Sequence, residues 1–110
     1  MIATLLLAAA AASGPACAFD PEEGSVVHSV EATPEFEARN APEFSGDSFS
    51  HDGATYRKTR LPREMAPFEI EAFDLISSVP LFIDPGDYEA EVIYVMVSSA
   101  GCVFQPYDRD

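Results

Sequence analysis

Val79–Val97 reads VPLFIDPGDYEAEVIYVMV, two apolar runs on either side of Asp84-Pro85-Gly86-Asp87. The second run, Val92-Ile93-Tyr94-Val95-Met96-Val97, does not alternate, so both of its faces are expected to be buried, as in a central strand. Its competitor is a buried helix. β-Branched enrichment, the turn before it and Gly101 after it decide for strand. Pro85 presets φ for the first central turn position, and Gly86 accepts positive φ at the second. That pairing twists a two-residue hairpin loop poorly, so a longer connection is expected, with Asp84 and Asp87 as loop residues. Tyr88, Ala90 and Val92 alternate with Glu89 and Glu91, which predicts a strand with one exposed face at the hairpin's mouth.

Working outward toward the C-terminus, Ser98–Gly101 is expected to turn and Cys102–Gln105 to form a last strand stopped by Pro106. Toward the N-terminus, Phe68-Glu69-Ile70-Glu71-Ala72 alternates, with Phe68, Ile70 and Ala72 facing a core. Phe73–Ser78 continues that strand through a bulge or bend. Ala54–Leu61 reads as another strand, ended by Pro62. The expected domain is therefore 51–110: mainly β, a small antiparallel sheet of about three to four strands.

Two segments precede it. Met1–Ala18 carries no charge; its apolar stretch Ile2–Ala12, the break Ser13-Gly14-Pro15 and the small-residue site Ala16-Cys17-Ala18 resemble a bacterial export signal cleaved after Ala18. The apolar stretch is too short to span a bilayer about 30 Å thick as a helix. The resemblance is incomplete, because no Lys or Arg precedes that stretch; the n-region is then atypical, or translation starts elsewhere. Lipidation at Cys17 is the lesser alternative, since Gly14 stands where lipoprotein signals carry leucine. Between Phe19 and Ser50, Asp20, Glu22, Glu23, Glu31, Glu35, Glu37, Glu43 and Asp47 face Arg39 alone, and Pro21, Pro34 and Pro42 interrupt the chain. Such a composition is expected to form a flexible acidic linker over 19–50, since it offers little apolar surface against the entropy of ordering. Val26–Val30 is a brief strand candidate. Phe36, Phe44 and Phe49 are the residues that could dock on the folded part.

The formal net charge is −13, with 19 acids against 6 bases. That balance argues against nucleic acid and against anionic membranes, whose phosphates demand a basic face. A partner steered by charge is basic, and a domain this small is expected to need a protein partner or self-association to cover its sheet edges.

Arg57, Lys58, Arg60 and Arg63 are the densest cationic group. Lys58 and Arg60 share a strand face and could hold a carboxylate or phosphate. The plainer reading sets them across from Glu69 and Glu71 on the following strand, worth roughly 0.2–1 kcal/mol per pair. His51-Asp52 with Glu43 and Asp47 lacks the spacing of a zinc or calcium site, and His28 falls in the linker, so neither a metal nor a cofactor is expected. Cleavage after Ala18 would leave Cys102 as the sole cysteine, ruling out an internal disulfide. Cys102 then reads as an inert core filler rather than as half of a thiol dyad with His51. Glu69, Glu71, Glu89 and Glu91 read as a solvated sheet face. The functional expectation is an exported, periplasmic or secreted, non-catalytic binding or accessory module. The alternatives are a small thiol- or histidine-dependent enzyme using Cys102 or His51, and a cation-binding protein using the acidic arm.

Overall fold

The computed structural model describes residues 16–110. Residues 1–15, most of the expected export signal, lie outside the described residues. The described residues are mainly β, in nine strands: β1 Ala16–Asp20, β2 Ser25–Ser29, β3 Ser48–His51, β4 Ala54–Arg57, β5 Arg63–Glu64, β6 Glu71–Ile76, β7 Val79–Ile83, β8 Val92–Ser98 and β9 Val103–Arg109. β1 and β2 form an antiparallel ribbon. The other strands make one seven-stranded antiparallel sheet in the order β3-β4-β9-β8-β7-β6, with β5 added on β9. The sheet is thus about twice the expected width.

The apolar run chosen as central does occupy the middle. β8 lies between β7 and β9, and Ile93, Tyr94, Val95 and Met96 are all buried. Its period of two divides them between the faces. Ile93 and Val95 join Val79, Leu81, Ile83, Phe49, Tyr56 and Tyr107 on one side of the sheet. Tyr94 and Met96 join Phe82 and Phe104 on the other, beneath Phe19, Met65 and Ile70. One sheet therefore serves two cores, which is why β8 shows no polar alternation.

The turn is built as its residues dictate. Asp87 N–H donates to the Asp84 carbonyl at 2.9 Å, and Gly86 takes φ +89°. The expected strand over Tyr88, Ala90 and Val92 does not form before Val92. Instead Ala90 N–H donates to the Asp87 carbonyl, and the Asp87 carboxylate accepts from the backbone N–H groups of Glu91 and Val92. A short acidic side chain has offered the backbone a closer partner than a ladder would, and the alternating sequence coils into a second turn. Phe68 departs from expectation in the same way. Pro67–Glu69 is a 3-10 turn and leaves Phe68 exposed, while Ile70 is buried. β6 follows with a bulge between Ala72 and Asp74, as its sequence suggested.

Pro106 does not end the last strand. β9 runs through it, because its flank away from β8 is interrupted there: β5 pairs only Val103 and Phe104, and β4 only Asp108 and Arg109. A proline is tolerated beside such a gap.

The stretch expected as a linker over 19–50 contributes the end of β1, all of β2, three 3-10 turns and most of β3, and the expected domain start at residue 51 falls on the last residue of β3. Ala41, Phe44 and Phe49 enter the first core, with Phe44 and Phe49 edge to face at 5.0 Å between centroids. Phe19 packs edge to face on Phe36 and Phe82 in the second core. Glu37 is itself buried; its carboxylate accepts from Ser99 N–H at 2.9 Å, Ser99 Oγ at 3.2 Å and Arg39 Nε at 3.0 Å. Averaged composition hides these few anchoring side chains.

The cysteine expectation is overturned. Cys17 on β1 and Cys102 before β9 form a disulfide with Cα atoms 5.1 Å apart. Cleavage after Ala18 would remove Cys17, so that cut and this bridge exclude one another. Cys102 is therefore not an inert thiol in a strand; it sits in the β8–β9 connection at φ +55°. Ala16–Ala18, taken in the sequence as a processing site, are strand residues.

Candidate functional site

The edge strands β3 and β6, first and last in the sheet order, approach each other without a ladder between them. Side chains close the gap. His51 at the end of β3 meets Asp74 on β6, Nε2 to Oδ2 at 2.7 Å, and the His51 ring stands edge-on to Phe73 at 5.5 Å. Asp52-Gly53 forms the tight turn that presents His51, with φ of +52° and +82°, values demanded by the primed hairpin turns. This Asp-Gly pair between SFSH and ATYR was a local hairpin signal that the sequence reading passed over. The bulge between Ala72 and Asp74 shifts the register of β6 beside the contact.

The pair borders a cleft of about 530 Å³, whose lining includes Tyr56, Phe73, Tyr88, Glu89 and Arg109. The hydrogen bond from His51 is the main cause holding the Asp74 carboxyl below the usual aspartate range, and its bond from Leu75 N–H acts in the same direction. Tyr56 is committed elsewhere, since its hydroxyl donates to the Ala90 carbonyl at 2.9 Å, and burial pushes its pKa up. Arg109 donates to the Glu89 carbonyl at 2.9 Å and lies 3.7 Å from the Glu91 carboxylate. The cleft therefore combines a histidine–carboxylate pair able to move a proton, one guanidinium and an exposed Tyr88.

The cationic group expected from the sequence is dispersed among carboxylates. Arg57 pairs with Asp110 at 2.9 Å, Arg60 with Asp108 at 2.8 Å and Arg63 with Glu69 at 3.7 Å. Lys58 lies 6.0 Å from the centre of the Tyr107 ring. Only Arg63 meets one of the two glutamates expected opposite the group, because β4 pairs with β9 and not with β6. Asp108 also accepts from Thr59, the main cause lowering its pKa, with Arg60 adding to it.

A third grouping joins residues that the sequence reading kept apart. Among the described residues, one set of cysteine, histidine and carboxylate donors is close enough to share a metal ion: Cys17, His28 and Cys102, within 4.8 Å of one another. The acids between Phe19 and Ser50 form no such group among the described residues.

Comparison with protein-family models, curated proteins and solved structures finds no match to this chain.

Proposed function

We propose that this chain is an exported, acidic, non-catalytic binding module of the periplasm or secreted fraction, whose partner presents a cationic protein surface. The carrying observation is the internal use of its positive charge. Five of the 6 basic side chains, those of Arg39, Arg57, Arg60, Arg63 and Arg109, are paired with carboxylates of the chain itself. The net charge of −13 therefore acts outward through acids such as Glu22, Glu23, Glu31 and Glu35, all exposed. A field of that sign accelerates encounter with basic partners and repels a second copy of the same chain.

Support for export comes from the Cys17–Cys102 bridge, since structural disulfides persist in oxidising compartments and are rare in the cytosol. A signal cut that spares the bridge lies upstream of Cys17, where Ala10 and Ala12 repeat the small-residue spacing.

The test uses the oxidised chain as bait in periplasmic extract, eluted by a salt gradient, beside a variant with Glu22, Glu23, Glu31 and Glu35 all changed to Gln. The expected result is capture of basic proteins that is lost in the variant and at high salt. Capture indifferent to both would refute the charge reading. The second reading, a histidine-dependent hydrolase, draws on the His51–Asp74 pair in its cleft. It requires turnover of an ester or amide substrate that disappears in His51→Ala.

A further inference from the structure

We infer that the Cys17–Cys102 pair is redox-gated, and that its dithiol form, together with His28, binds a zinc ion. Three structural facts converge on it. The β1–β2 register sets Cys17 directly opposite His28, so the imidazole is a cross-strand neighbour of the sulfur. The β8–β9 connection brings Cys102 to the same point, held where Cys17 N–H donates to the Ser99 carbonyl at 2.8 Å and Met65 N–H to the Cys102 carbonyl at 3.0 Å. One donor atom from each of the three residues then falls within 4.8 Å of the others.

The two sulfurs are bonded to each other at that point, so zinc requires the bridge to open and the sulfurs to part, with the imidazole already within reach. With Zn–S near 2.3 Å and Zn–N near 2.0 Å, ligand atoms around a tetrahedral ion stand about 3.4–3.8 Å apart. Two thiolates and one imidazole make the donor set of a zinc site that keeps its fourth position open to water. Cys17 is fully buried and His28 is exposed, so the site has a protein wall on one side and an entry from solvent on the other. In the bridged state both sulfurs are spent on each other and the site is closed. An external dithiol opens it: the bridge accepts two electrons and two protons, and the dithiol leaves as its own disulfide. Zinc then displaces both thiol protons, and a ring nitrogen of His28 supplies the third ligand. Either state ties the β1–β2 ribbon to the main sheet, by a covalent bond or through the metal. The binding module proposed above is not required for this inference.

The experiment reduces the full chain with a dithiol, removes the reductant without oxygen, and titrates with Co²⁺ as a spectroscopic stand-in for Zn²⁺, followed by displacement with Zn²⁺. The expected result is sulfur-to-cobalt charge-transfer absorption that saturates at one equivalent and is erased by zinc. The oxidised chain, which keeps its fold, should show none. His28→Ala leaves the bridge intact and should weaken the affinity of the reduced form by at least the roughly 10–100-fold that loss of a mere supporting partner costs. Circular dichroism checks that the reduced variant is folded. Absence of the band in the reduced wild-type chain, whether it stays folded or unfolds beyond rescue by zinc, would overturn the inference. So would a band of equal affinity in His28→Ala, which would mean two thiolates binding without a built site.

Discussion

Opening the Cys17–Cys102 bridge is the perturbation whose size the structure lets one work out. The bridge closes a loop with a sequence separation of 85, nearly the whole described chain. In the chain-entropy account, a loop of that length removes about 15 cal/mol/K from the unfolded ensemble, or about 4.5 kcal/mol at room temperature. Native disulfides in small secreted domains deliver about 2–5 kcal/mol when measured, so a loss of roughly 3–4 kcal/mol is expected here. The folded state adds its own reason, because the bridge clips the β1–β2 ribbon over the second core, where Phe19 packs on Phe82. The assay is urea unfolding of the oxidised chain, of the reduced and alkylated chain, and of Cys17→Ser, Cys102→Ser and the double variant, all with chelator present. The two single variants should match each other, and the double variant should lose little more than either, because the two cysteines form one bond. Losses that add in the double variant, or a reduced chain within about 1 kcal/mol of the oxidised one, would refute the reasoning. So would alkylation of Cys102 in the unreduced native protein.

Two further outcomes follow from buried or paired carboxylates. Glu37→Ala should destabilise the chain by about 2–4 kcal/mol in the same urea assay, because it strands the N–H and hydroxyl of Ser99, which is fully buried. At the sheet edges, the Asp74 carboxyl is held below its ordinary value by His51, so the pair contributes stability that is complete above the unfolded aspartate range, near pH 4, and fades as pH falls through the lowered folded value. His51→Ala should raise the Asp74 pKa, read by carboxyl NMR titration, and should flatten that acid limb by less than about 1 kcal/mol, since Asp74 is half exposed and solvent screens the pair.

What the sequence by itself determined is the set of features written in short range. A β-branched run next to a Pro-Gly turn specifies a buried strand and its turn, and β8 and Gly86 are found as read. A break in apolar alternation specifies a bulge, and β6 carries one. Even His51 was announced locally by Asp52-Gly53, whose positive φ values are a property of the two residues themselves. Other local readings failed because one side chain outbid the ladder, as Asp87 does for Glu91 and Val92.

Only the tertiary structure decided the rest, because it depends on which strands become neighbours. The partners of Arg57 and Arg60 lie at the end of β9 and just past it, some 50 positions away along the chain, so no spacing in the sequence joins them. The acid-rich stretch after Phe19 is held by Phe44, Phe49 and a buried Glu37, and each is stabilised by contacts that exist only once the sheet has curled. The same curl sets His51 against Asp74 at the two sheet edges. The pairing of β1 with β2 sets His28 beside Cys17, and the β8–β9 turn supplies Cys102. Charge and apolar content can be counted along a chain, but proximity between distant residues follows from register, and register is settled by burying both faces of β8 at once.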